Sequence, residues 1–427
     1  MELKSIINNE NIIGLVQRTL NGVDPRLIEH GVRVAFIVSC MLDIEGGYSK
    51  RDKQDIYILS VLHDIGAYKT EEINRMVEFE VGDIWEHSIY GYLFLKHLSP
   101  LKEWAKIILF HHVAANELPE MDAKIRRGTQ ILNLADRLET LSHGFDKEET
   151  IEKIREKTFK TLDKLRDTRF QGEVIDILKK AEERFSLLEE LQKNKTGFID
   201  KSSEIVLTEE ECLQYLKILV YIIDFRSQYT VTHTIKTTSI SCCLARYMDI
   251  SEDRIERVYY GAQLHDLGKI GIPVEILESP GRLSKEEMDI MQTHVDITER
   301  ILGNAVASDI MNISLRHHEK VDGSGYPRGL TGGQMTLEEQ IVAVADIVSA
   351  LLGKRSYKAA YPKDKTLAIV QNMVDAGKLN ADIVNSLREN FDKMIVEVEE
   401  SCVPALDNYY GIQREYLRLL VKYQSPK

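Results

Sequence analysis

Imidazole and carboxylate side chains are the ordinary protein ligands of divalent transition ions, and this chain repeats them in order. Of its twelve histidines, ten fall into two series: His30, His63, His87, His111 and His112, then His233, His265, His294, His317 and His318. An aspartate follows the second member of each series directly, Asp64 and Asp266, and another comes after the last pair, Asp136 and Asp346. Matching histidines lie between 202 and 207 residues apart and the final aspartates 210, the spacing expected of two copies of one architecture with small loop insertions. Five histidines and two aspartates exceed the needs of a single four-coordinate ion; two ions sharing a bridging carboxylate would use all seven. Neighbouring side chains on a helix diverge by about 100°, so His111-His112 and His317-His318 can each serve one metal only near a helix end or bend. His97 and His143 stand outside the series and are expected to be satisfied elsewhere or exposed.

The elements that must position these groups read as all-helical. Only nine prolines occur in 427 residues, and apolar residues recur at three- and four-residue steps. Asp24-Pro25 is an N-cap followed by a first-turn proline, opening a helix through Leu27, Ile28, Val34, Phe36, Ile37 and Met41 that carries His30. Val174, Ile177, Leu178, Ala181, Phe185 and Leu188 form one apolar stripe, expected to be a packed helix closing a first domain. The polar stretch from Gln192 to Ser203 then separates two domains, 1–195 and 204–427. Val321 to Gly333 holds five glycines and Pro327; it cannot be helical, and reads either as a loop whose amides approach a ligand or as a flexible connector.

With 43% hydrophobic and 29% charged residues the composition is that of a soluble globular chain, and its length exceeds what one core usually supports. The 55 Lys+Arg against 68 Asp+Glu give a net charge of −13 without a basic block, which excludes a nucleic-acid polymer as partner but leaves room for a small anion held by local cations. Cys40, Cys212, Cys242, Cys243 and Cys402 lack metal-type spacing and suit a reducing, cytoplasmic location. No signal peptide or membrane span is read, so no membrane partner is expected; a homodimer is left open.

His233, His265-Asp266 within HDLGK, His294, His317-His318 and Asp346 together resemble the HD superfamily of metal-dependent phosphohydrolases. HDLGKIGIP (265–273), HHEKVDGSGYPRGL (317–330), VADIVSAL (344–351) and RSYK (355–358) look like its HD-GYP subfamily over roughly 205–392, whose known activity is hydrolysis of the bacterial second messenger cyclic di-GMP. The first half resembles a plain HD domain over roughly 24–145: Ala67 stands at the lysine position, with Lys69 two residues on, and neither a GYP loop nor RxYK follows.

The resemblance implies two tandem all-α HD domains, the second with a C-terminal helical extension. It implies two divalent ions per active site, iron or manganese, with Asp266 bridging; His233, His265 and Asp346 complete one side, and His294, His317 and His318 the other. Asp266 and Lys269 would be catalytic, with Lys269, Arg355 and Lys358 holding the cyclic dinucleotide. His30, His63, Asp64, His87, His111, His112 and Asp136 would form a matching metal site in the first domain, as a second hydrolase or a regulatory copy. Family members with a third metal carry a glutamate where this chain has Tyr229, so hydrolysis is expected to stop at linear pGpG, with GMP forming slowly. The alternatives are a phosphohydrolase for another nucleotide or cyclic dinucleotide, and a nucleotide-sensing scaffold with structural metals.

Overall fold

Capping chemistry explains where some of the helices begin. In the first half the helices are α1 (Pro25–Glu45), α2 (Lys50–Val61), α3 (Ile84–Leu98), α4 (Lys106–Phe110), α5 (Ala123–Ser142), α6 (Ile151–Asp163), α7 (Gly172–Phe185) and α8 (Leu187–Gln192). Ser49 and Asp52 form a capping box at α2, and the Asp122 carboxylate accepts the Lys124 and Ile125 amides at α5, satisfying donors that have no partner within the helix. In this computed structural model the described residues are 25–67, 84–145, 148–192, 207–226, 231–279, 281–353 and 360–424, with Ile6, Leu15, Arg18 and Thr19. Among them no β-strand forms, so the fold is all-α as the periodicity requires. No described helix is long and apolar enough to cross a membrane, and all five cysteines are buried free thiols.

The stripe from Val174 to Leu188 is divided between two helices. Ser186 adopts φ +52° at the end of α7, and the buried Glu182 carboxylate accepts the Leu188 amide at 2.9 Å. The apolar spacing continues across the break, which is why the stripe reads as one helix in sequence.

The second half contains α9 (Glu209–Arg226), α10 (Val231–Tyr247), α11 (Glu252–Leu264), a 3₁₀ turn at Leu267–Gly271, α12 (Val274–Leu277), α13 (Lys285–Gln292), α14 (His294–Leu302), α15 (Ser308–Leu315), α16 (Leu337–Leu352), α17 (Lys363–Asp375) and α18 (Ala381–Gln424). Its core joins Ile240 and Leu244 of α10, Val344 and Val348 of α16, and Ile383, Leu387, Phe391 and Met394 of α18. Helices α10 and α16 carry His233 and Asp346, so the core fixes their spacing.

Two compact units result: Met1–Val23 with Thr208–Gly411, and Asp24–Leu207 with Ile412–Lys427. This division departs from 1–195 and 204–427 at both ends of the chain. In the first of these units Arg18 donates to the carbonyls of Ile301 at 2.6 Å and Leu302 at 3.3 Å, the C-terminal carbonyls of α14 that a cation suits. In the other unit Tyr416 stacks on Tyr90 at 3.9 Å and Tyr423 on Trp85 at 4.5 Å, while Glu415 pairs with Lys96 and His97. Contacts between residues so far apart in sequence leave no local signal.

Candidate metal centres

Five of the ten series histidines sit where a helix has just run out. His63, His111, His265, His294 and His317 each bond through Nδ1 to the carbonyl three residues back: Ser60 at 2.8 Å, Ile108 at 2.6 Å, Ala262 at 2.6 Å, Met291 at 2.6 Å and Ser314 at 2.7 Å. A carbonyl can only accept, so Nδ1 carries the proton and Nε2 is left as a bare lone pair. The helix end thus satisfies its last carbonyls and orients a ligand at once. Both histidine pairs lie past a helix end, after α4 and after α15.

In the second half the seven residues of the series converge. Asp266 Oδ2 lies 3.1 Å from His265 Nε2 and 3.6 Å from His233 Nε2, and its Oδ1 lies 3.6 Å from His294 Nε2. Asp346 Oδ1 is 3.0 Å from His233 Nε2 while Oδ2 is 3.7 Å from His318 Nδ1. His294 and His317 bring their Nε2 atoms within 3.3 Å. Both carboxylates therefore face two groups of imidazoles. The first half repeats the pattern: Asp64 Oδ2 is 3.3 Å from His63 Nε2 and Oδ1 3.7 Å from His111 Nε2, and Asp136 Oδ1 is 3.0 Å from His30 Nε2 with Oδ2 3.7 Å from His112 Nδ1. His87 and His112 bring their Nε2 atoms to 3.0 Å.

These donor sets fit divalent cations. Bare nitrogens that face each other or a carboxylate repel unless positive charge lies among them. His111 Nε2, His112 Nδ1, His265 Nε2, Asp64 Oδ1 and Asp266 Oδ1 are buried with no hydrogen-bond partner, which is costly without an ion. Burial, reinforced by neighbouring imidazoles, pushes His317 well below the usual histidine range, and burial outweighs Asp346 to bring His318 down to about 3. For Asp266 burial is overcome by His265 and Lys269, so its carboxyl stays well below the usual range. Burial at His265 is outweighed by Asp266, which raises it above the usual histidine range; neutral imidazole and ionised carboxylate are the forms that take up an ion.

Were the helix to continue past His265, Lys269 would follow it four residues on, on the same face. The helix instead ends at Leu264, and Lys269 lies in the 3₁₀ turn with Nζ 2.6 Å from Asp266 Oδ2. A side chain on Gly268 would overlap the His294 carbonyl, as one on Gly66 would overlap that of His87; both glycines let the HD turn approach the next ligand. Ala67, the counterpart of Lys269, is buried. Arg355, Lys358, Tyr229 and Lys69 lie outside the described residues. His97 and His143 are each hydrogen-bonded to a carboxylate, at 2.8 Å to Glu415 and 3.0 Å to Glu139.

Three supporting residues escaped the sequence reading. Glu139 takes His30 Nδ1 at 2.6 Å, and Ser349 takes His233 Nδ1 at 3.1 Å; each stands three residues after the final aspartate on the same helix, a spacing that could have revealed them. Glu319, 1% exposed, accepts the Arg328 amide at 2.8 Å and the Leu330 amide at 2.9 Å. It holds the glycine loop so that the Tyr326 ring lies 4.6 Å from that of His318. The loop is thus tied down and is not a loose connector. Glu319→Ala should leave two amides without their acceptor and raise hydrogen exchange across 321–333, with metal content unchanged; unaltered exchange would remove this role.

HD domain family models match residues 27–141 and 217–383. A 3′3′-cGAMP-specific phosphodiesterase of Vibrio cholerae is 26% identical over 405 residues, covering 90% of this chain and 92% of that protein. A cyclic di-GMP phosphodiesterase of Thermotoga maritima is 36% identical over 220 residues, 50% of this chain; the chain spans 59% of that relative's length. A crystal structure of a cyclic GMP-AMP specific phosphodiesterase from Vibrio cholerae, 20% identical, shares the fold with a TM-score of 0.54 over 91% of this chain and 98% of its own. The chain belongs to the HD superfamily of metal-dependent phosphohydrolases and carries the HD domain twice.

Proposed function

We propose that the second-half centre is a metal-dependent phosphodiesterase that hydrolyses cyclic di-GMP to linear pGpG, and GMP only slowly. One observation carries the reading: an ammonium, Lys269 Nζ, stands 2.6 Å from a carboxylate oxygen that also faces the imidazoles, beside a glycine loop held against the same ligands. A phosphodiester anion approaching this cluster meets a positive charge on the protein itself. His233, His265, His294, His317 and His318 with Asp266 and Asp346 would hold two divalent ions, iron or manganese, which when bound lower the pKa of water and withdraw charge from a phosphoryl oxygen. Asp266 and Asp346 hold the two imidazole groups in register, and Lys269 offsets the charge that develops on the phosphoryl group. Arg355 and Lys358 would contact the rest of the nucleotide. The HD domain matched over 27–141 accompanies the one matched over 217–383, which would be the HD-GYP domain, in a cytoplasmic protein.

A second reading is favoured by the nearly full-length similarity to a 3′3′-cGAMP-specific enzyme: that the mixed cyclic dinucleotide is the substrate. Steady-state hydrolysis of cyclic di-GMP and 3′3′-cGAMP by the full chain, with products separated by chromatography, decides between them. A larger kcat/KM for cyclic di-GMP with pGpG accumulating is expected; a preference for cGAMP would transfer the assignment.

A further inference from the structure

The two centres present the same ligands but differ in what stands behind them. In the first half, His30 Nδ1 meets the Glu139 carboxylate at 2.6 Å. Glu139 is wholly buried, and its other oxygen is held by Arg33 Nε at 2.7 Å and His143 Nε2 at 3.0 Å. In the second half, the hydroxyl of Ser349 donates to the His233 carbonyl at 3.2 Å and so receives the His233 Nδ1 proton at 3.1 Å. The charged groups in contact differ as well. Around the first centre stand Asp64, Asp136 and Glu139 with Arg33; around the second, Asp266 and Asp346 with Lys269, which lies directly on a ligand carboxylate.

We infer that Glu139 makes the first-half centre the tighter holder of divalent ions, so that it keeps its metal under conditions that empty the second. A histidine that donates to a carboxylate is a more basic ligand than one that donates to a hydroxyl, and Arg33 offsets the Glu139 charge without pairing with a ligand carboxylate of the first centre. The second centre gives up part of its attraction for a cation to the Lys269 ammonium. Glu139 acts through His30 and is a positioning residue. The inference rests on reading both clusters as divalent-ion centres.

The test uses the full-length protein loaded with manganese and challenged with EDTA, the retained metal being followed by elemental analysis. Wild type should lose its ions in two phases. Asp64→Asn should keep only the fast phase and Asp266→Asn only the slow one. Glu139→Ser should accelerate the slow phase about 10- to 100-fold, the usual cost of removing such a partner. Glu139→Gln, which keeps the shape and a hydrogen-bond acceptor for His30, should fall between, and Ser349→Glu should slow the fast phase. Circular dichroism checks that each variant folds. Release from both centres at one rate in wild type, or a slow phase that persists in both Glu139 variants, would overturn the inference. A wild-type protein that retains no manganese at all would instead overturn the reading of the clusters as metal centres.

Discussion

Asp266→Asn should abolish cyclic dinucleotide hydrolysis and strip the second-half centre of metal while leaving the first-half metal and the helicity in place. The side chain keeps its shape, but its two oxygens now face different imidazole groups, at 3.1 Å from His265 Nε2 and 3.6 Å from His294 Nε2. An amide offers one oxygen and one NH₂, and carries no charge with which to join two cations. Elemental analysis, circular dichroism and product chromatography on the same preparation check the three parts of this expectation. Full activity in a metal-depleted variant would eliminate a dinuclear mechanism.

Lys269→Ala should behave differently. Nζ pairs with Asp266 but is not itself a ligand, so metal content should persist while kcat falls about 100- to 1,000-fold, the scale on which loss of one preorganised charge-stabilising donor is felt. If kcat fell together with metal content, Lys269 would be serving the stability of the centre; if only KM rose, its role would be binding equally in ground and transition states. The first half carries Ala67 at this position, so the same change occurs there naturally.

The convergence of the two histidine–aspartate series was legible because metal coordination demands particular residue types, and the duplication showed which histidines belonged together. The helical class was legible from apolar spacing. The geometry of Lys269 was not legible: a helix continued past His265 would set it by a four-residue step, whereas the glycine at 268, pressed against the His294 carbonyl, accompanies a tighter turn that pairs it with Asp266. Glu139 and Ser349 were signalled only by their three-residue step from the final aspartates, and Glu319 not at all, because a carboxylate or hydroxyl beside a motif is ordinary surface chemistry until its partner is known. For Glu319 that partner is a pair of backbone amides nine and eleven residues away, and amides carry no sequence signature.

The exchanged ends of the chain bear on how this protein could be taken apart. A break anywhere between Gln192 and Leu207 would leave two fragments, neither of which is a domain. The N-terminal fragment would hold Arg18, which caps the helix beginning at His294, and the C-terminal fragment would hold Tyr416 and Tyr423, which cover the helix bearing His87. Each fragment would own a piece of both compact units. Severed at its middle, the chain could complete either compact unit only by seating a terminal segment of one fragment on the body of the other.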